Sequence, residues 1–169
     1  MADHFSAILY LLAPLYWLWD NPKILLIAQT ISLAIGALPV YLIAKQRLGS
    51  SIIALLFGFA YLLYPSLLWT NTFDFHPEVL ITSVLISIFY FLYNKNLFWY
   101  FLFLVFTSLS KETAGFTIAM IGIYALFLNK RIGIATIGLG IISVCIAFST
   151  FHYFNHGEQS AYISYYANY

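Results

Sequence analysis

Charge is what this chain has least of. Seven Lys and Arg and six Asp and Glu stand among 169 residues, 8% of the total, where a soluble domain of this size carries about a quarter. The few charges are clustered, and long apolar runs separate them. Water does not solvate such a chain; lipid does. A net charge of +1, with never more than two basic residues in a row, excludes an electrostatic footprint for nucleic acid. The single cysteine, Cys145, excludes an intrachain disulfide and leaves the redox compartment unread. There is no glycine-rich phosphate loop, paired-cysteine metal pattern or serine–histidine–aspartate arrangement. Gly138 and Gly140 lie in an apolar helix without a nucleotide fingerprint. No signal peptide is evident, because Asp3 and His4 precede the first apolar stretch where a signal needs a basic start.

What is abundant is hydrocarbon. Hydrophobic residues make up 63% of the chain and aromatics 20%, with a mean hydropathy of +0.89. Seven apolar segments follow one another: Phe5 to Trp19, Ile24 to Ala44, Ile52 to Thr70, Val79 to Tyr93, Leu97 to Ser110, Ala114 to Leu128 and Ile134 to Phe154. A crossing helix needs about 20 residues. The second, third and seventh reach that length, and polar flanks extend the others. The expectation is an all-α, polytopic membrane helix bundle forming a single domain. It has transmembrane helices at 24–44, 52–70, 77–94, 97–111, 113–129 and 134–154 and an outer tail at 155–169. The first segment, 5–19, is short and holds Pro14, Tyr16, Trp17 and Trp19, a composition suited to a helix lying in the membrane interface.

Orientation follows from lysine and arginine. Lys45, Arg47, Lys95, Lys130 and Arg131 occupy alternate turns, so six crossings place them on one side, the cytoplasm. Every acid and all four histidines then face the other side of the plasma membrane, with only Lys23 and Lys111 among the bases. Small residues at a spacing of four, Ala28–Ser32–Gly36, Ser83–Ser87 and Gly115–Ala119, suit close helix packing. Pro39 and Pro65 are candidates for kinks.

Four polar elements are candidates for chemistry. The densest runs from Asn71 to Glu78. In an extended loop Asp74, His76 and Glu78 project to one side and Phe73, Phe75 and Pro77 to the other, a donor set for a divalent cation such as magnesium or manganese, or for proton transfer. The alternative is that Asp74 and Glu78 cap the helix that begins at Pro77. Lys111-Glu112-Thr113 is a charged break that either neutralises a phosphate or is a solvated turn. Asp3-His4 reads as a tail. The stretch from His156 to Tyr169 is an interfacial tyrosine cluster or a surface on which a sugar stacks.

Several strings then resemble a family. They are Asp3-His4-Phe5-Ser6, Leu11-Leu12-Ala13-Pro14-Leu15-Tyr16, and Leu38-Pro39-Val40-Tyr41-Leu42-Ile43-Ala44 before a basic turn ending in Gly49. Phe73 to Glu78 and Lys111-Glu112 join them. Together they resemble an uncharacterised family of bacterial and archaeal predicted membrane proteins, similar in layout to the C-type glycosyltransferase superfamily. That superfamily moves a sugar from a polyprenyl-phosphate carrier to an acceptor on the outer face. The resemblance implies carrier-binding roles for His4, Asp74 and Lys111, with Asp74 also a metal or phosphate contact. Ala7 departs from the family's usual proline. The superfamily's first helix and the outer loop with its catalytic aspartate have no counterpart here, so the chain reads as a fragment, inactive by itself. Two further readings share the same residues: a transporter, which predicts midplane charges and inverted repeats, and a non-catalytic scaffold subunit.

Overall fold

Every described element of the protein is helical, as the hydropathy pattern leads one to expect: a backbone in lipid must satisfy its own polar groups, and a helix does so within one segment. The structure, a computed structural model, describes residues 8–111 and 113–154, with side chains as far as 150. Among the described residues there is no strand. The described chain divides into two compact units, one spanning Ile8–Thr107 and the other beginning at Ser108.

The first unit opens with α1 (Ile8–Leu12), which tightens into a 3-10 turn at Ala13–Trp17 with Pro14 in its first turn. Ten residues are too few to cross a core of about 30 Å, in keeping with the expected short first segment; Trp17 is 89% exposed. Next come α2 (Lys23–Ile35) and α3 (Ala37–Leu48), which together form one apolar helix of 26 residues. At a rise of 1.5 Å per residue that is about 39 Å, ample for a crossing. Its ladder is interrupted at Gly36, whose N–H turns to the Leu33 carbonyl at 3.1 Å. The cause is Pro39, which has no N–H to offer the Ile35 carbonyl four residues earlier. α3 ends at Gly49, whose left-handed backbone (φ 70°) lets its N–H close on the Lys45 carbonyl at 3.0 Å. Ser50 then starts α4 (Ser51–Leu62) by accepting from the Ile53 N–H.

Pro65 breaks the next segment. Tyr64 is held extended before the proline (φ −62°, ψ 122°), and α5 (Pro65–Thr72) leaves α4 at an angle of 43°. The stretch expected as one span over 52–70, with Pro65 a candidate kink, is a bent pair. A 3-10 turn at Pro77–Leu80 leads into α6 (Ile81–Tyr93), and α7 (Leu97–Ser108) packs beside it through a ring cluster of Phe91, Trp99 and Phe103.

The second unit is a tight antiparallel hairpin of α8 (Ala114–Leu128) and α9 (Lys130–Phe154). Asn129 joins them and accepts from the Arg131 N–H at 3.0 Å, which starts α9 four residues before the expected Ile134. Glycines let the backbones meet. A Cβ on Gly115 would stand 2.6 Å from the Gly140 carbonyl oxygen, and one on Gly133 2.5 Å from the Leu126 nitrogen.

By length and composition, Lys23–Leu48 and Lys130–Thr150 suffice to cross a membrane, and the bent α4–α5 pair adds a third if it is one broken span. Pro77–Tyr93, Leu97–Ser108 and Ala114–Leu128 are apolar but shorter. Length alone thus supports two or three crossings among the described residues, fewer than the six expected from hydropathy.

Candidate functional site

The site is organised by a residue inside α2. Gln29 sits in an apolar run and has no exposed surface, a position where an unsatisfied amide is costly. Both ends of its side chain are used on one neighbouring segment. Nε2 donates to the Thr70 carbonyl at 3.3 Å, and Oε1 accepts from the His76 N–H at 3.2 Å. One side chain thereby bridges the last turn of α5 and the stretch that enters α6. The next residue extends the contact, since Thr30 Oγ1 is 2.9 Å from Asn71 Oδ1 and also reaches the Leu26 carbonyl.

A second set of bonds continues down α2. Ser32 Oγ donates to the Leu80 carbonyl at 3.0 Å, Ser83 Oγ donates to the Ser32 carbonyl, and Tyr61 Oη donates to the Leu33 carbonyl at 3.0 Å. Gly36 lies where a Cβ would collide with the hydroxyls of Tyr61 and Ser83. The stripe Ala28–Ser32–Gly36, read from sequence as a packing face, is the line along which α2 holds the segment from Thr70 to Ser83.

Between these anchors the chain is non-helical from Phe73 to His76, with Phe73 and His76 both extended, and then turns. His76 is extended (φ −127°, ψ 120°) and precedes Pro77 at the start of the 3-10 turn. The alternation expected for Asp74, His76 and Glu78 therefore stops at Pro77. Glu78 belongs to the first turn of a helix, as in the capping alternative, although no side chain caps that turn. Asp74, His76 and Glu78 are exposed. His76 Nδ1 lies 2.8 Å from the Asp74 carbonyl oxygen. A carbonyl only accepts, so Nδ1 is the donor in this contact, and in the Nδ1–H tautomer of the neutral ring Nε2 is the acceptor. Phe73 lies beside the imidazole, with centroids 6.1 Å apart.

The proposed cation shell is not assembled by this geometry. Among the described residues no three His, Cys, Asp or Glu side chains gather closely enough to hold a metal. Glu78 lies within the 3-10 turn that begins at Pro77, whereas Asp74 and His76 precede it. Lys111 belongs to the second unit and is half-buried. His4 and Glu112 lie outside the described residues, as does the tyrosine-rich tail.

An apolar cavity of about 480 Å³ adjoins the polar segment. Leu12, Ala28, Ser32, Leu80, Val84 and the α7 aromatic Phe103 are among its walls. Ser32, its one hydroxyl, already donates to Leu80, so the cavity offers water almost nothing to bind. It suits hydrocarbon.

Gln29 was not singled out by the sequence reading. Its signal was present nonetheless: an amide within the apolar run Ile24 to Ala44, where a polar side chain has a structural or functional reason to be.

A family model described as "Predicted membrane protein (DUF2079)" matches residues 1–168. No curated protein and no solved structure gives a match.

Proposed function

Because the chain belongs to this family of predicted membrane proteins, whose function is unknown, we propose that it forms part of an enzyme that transfers a sugar from a polyprenyl-phosphate carrier at the outer face of the plasma membrane. The observation that carries the reading is one juxtaposition. A segment bearing exposed Asp74 and His76 is clamped by buried Gln29, and its far end, at Leu80, forms a wall of an apolar cavity. A lipid-linked sugar has the same two parts, a polar head and a hydrocarbon chain.

In this reading Asp74 and His76 hold the polar head, with His76 presenting Nε2. Separately, the family resemblance motivates Lys111 as the cation for a carrier phosphate, a compact charge suited to a phosphoryl oxygen, and His4 as a carrier contact. The shorter helices 77–94, 97–111 and 113–129 cross together with 24–44, 52–70 and 134–154, through local thinning of the bilayer and snorkelling of their flanks. The segment 5–19 rests in the outer interface.

Binding of a polyprenyl phosphate to the purified full-length protein, followed by native mass spectrometry, tests the proposal. Lys111→Ala should weaken binding about tenfold or more, the factor expected for one charge-assisted contact. Asp74→Asn and His76→Ala should lower sugar transfer in membranes while the helical content stays at the parental level. Parental binding and transfer by all three variants would reduce the polar segment to helix caps and a solvated turn.

A further inference from the structure

The opposite end of the first unit carries a second polar cluster, which the proposed transfer reaction does not use. We propose that this end, where α3 and α6 terminate, binds the phosphate of an anionic phospholipid. Lys45 and Arg47 stand in the last turn of α3, and Lys95 follows α6. The two helix ends are tied by a reciprocal amide pair: Gln46 Nε2 donates to Asn94 Oδ1 at 3.0 Å, and Asn94 Nδ2 donates to Gln46 Oε1 at 3.4 Å. That clasp holds the three cations on neighbouring turns. All three are exposed.

Their charge is not consumed within the unit. Its acids are Asp20, Asp74 and Glu78, which stand before α2 or in the segment clamped by Gln29, at the other end of the 26-residue helix. Among the described residues Lys45, Arg47 and Lys95 have ring and backbone contacts but no carboxylate. Helix dipoles do not alter the balance. α3 and α6 bring C-termini to this end, while α4 and α7 bring N-termini, so partial charges of about one half of each sign oppose one another. Three side-chain charges remain.

The geometry suits a phosphodiester. The Arg47 guanidinium carbon lies 4.6 Å from the centre of the Tyr93 ring. A ring takes the face of a guanidinium, whereas phosphate is bound along its N–H edge, so the first contact leaves the second open. Lys45 Nζ lies 5.6 Å from the Tyr41 ring centre. Lys95 has a left-handed backbone, φ 55°, a conformation that asparagine adopts more cheaply than lysine. Asparagine occupies both flanking positions, so the lysine stands at the one place in the turn where the backbone disfavours it. The partner is a membrane lipid because the cluster sits at the end of a helix long enough to cross, with tyrosines beside it, at the depth of the headgroups.

The test uses the full chain in phosphatidylcholine bilayers with trace spin-labelled phosphatidylglycerol or phosphatidylcholine, read by the motionally restricted component. The parent should prefer the anionic lipid by at least about fivefold, roughly the worth of one basic residue near such a surface. Lys45→Gln, Arg47→Gln and Lys95→Gln combined should bring the ratio close to one, and Lys23→Gln, at the other end, should leave it unchanged. A parental ratio near one, or a triple variant that keeps the parental ratio, would overturn the proposal. So would an equal loss in Lys23→Gln. Abolition of the preference by inorganic phosphate at constant ionic strength would show a site for free phosphate instead.

Discussion

Gln29 shows how one side chain can hold non-helical backbone where water is scarce. The Thr70 carbonyl and the His76 N–H both need a partner, and a single amide supplies a donor and an acceptor at once. Gln29→Leu keeps the volume and removes both bonds. We expect it to cost about 1–3 kcal/mol, the penalty for leaving buried polar groups unmatched, measured by unfolding in mixed detergent with sodium dodecyl sulfate. A cysteine placed at Thr72 should also react faster in that background, because the clamped segment opens more often. Unchanged stability and unchanged reactivity would show that the segment is held by its other bonds, those from Thr30 and Ser32. The native Cys145 is exposed, so these measurements require Cys145→Ser. At this scale the alternation of charged and aromatic residues makes Asp74 and His76 candidates from sequence, and both are exposed on the clamped segment. The sequence reading missed the presenting residue, because a lone glutamine in an apolar run names no partner.

At the scale of elements, two of the three glycines of α9 separate packing from composition. Gly138 and Gly140 look alike in sequence, two positions apart in one apolar helix. A Cβ on Gly138 meets nothing within 4 Å, whereas one on Gly140 would stand 2.7 Å from the Gly115 carbonyl oxygen and 2.8 Å from the Ala119 nitrogen. These are backbone atoms, which cannot rotate away. Gly140→Ala should therefore destabilise the α8–α9 hairpin by about 1–3 kcal/mol through overpacking. Gly138→Ala should change stability by no more than about 0.5 kcal/mol. Thermal unfolding of the two variants in one detergent decides it, and equal shifts would mean that the close approach is not limiting. Proline was more legible. Pro65 marks the bend between α4 and α5, and Pro39 the interruption at Gly36, because the missing N–H acts on the chain's own neighbours.

For the whole molecule the number of crossings sets which turns face which side of the membrane. Six crossings give opposite accessibility to the turns at either end of α2–α3, with 45–51 and 94–96 together and 71–76 apart from them. In intact cells, with Cys145→Ser, cysteines at Ser50 and Asn96 should stay unlabelled by an impermeant reagent until the membrane is opened. A cysteine at Thr72 should label at once. Labelling of Thr72 and Asn96 from the same side would sink the six-span arrangement. A cysteine at Ala2 should label from outside if 5–19 rests at the interface, and only from the cytoplasm if that segment crosses.

Composition by itself determined that this chain belongs in lipid and is helical, because scarcity of charge and the need for self-satisfied backbone hydrogen bonds act along every segment regardless of its neighbours. The order of residues likewise marked the interruption before Pro39 and the bend at Pro65, since a proline acts within four residues. Which segment meets which was decided only in three dimensions. Gln29 finds its partners 41 and 47 residues away, and Gln46 finds Asn94 48 residues away. Hydropathy is additive along a sequence, whereas a hydrogen bond between distant residues depends on the position and angle of both helices together.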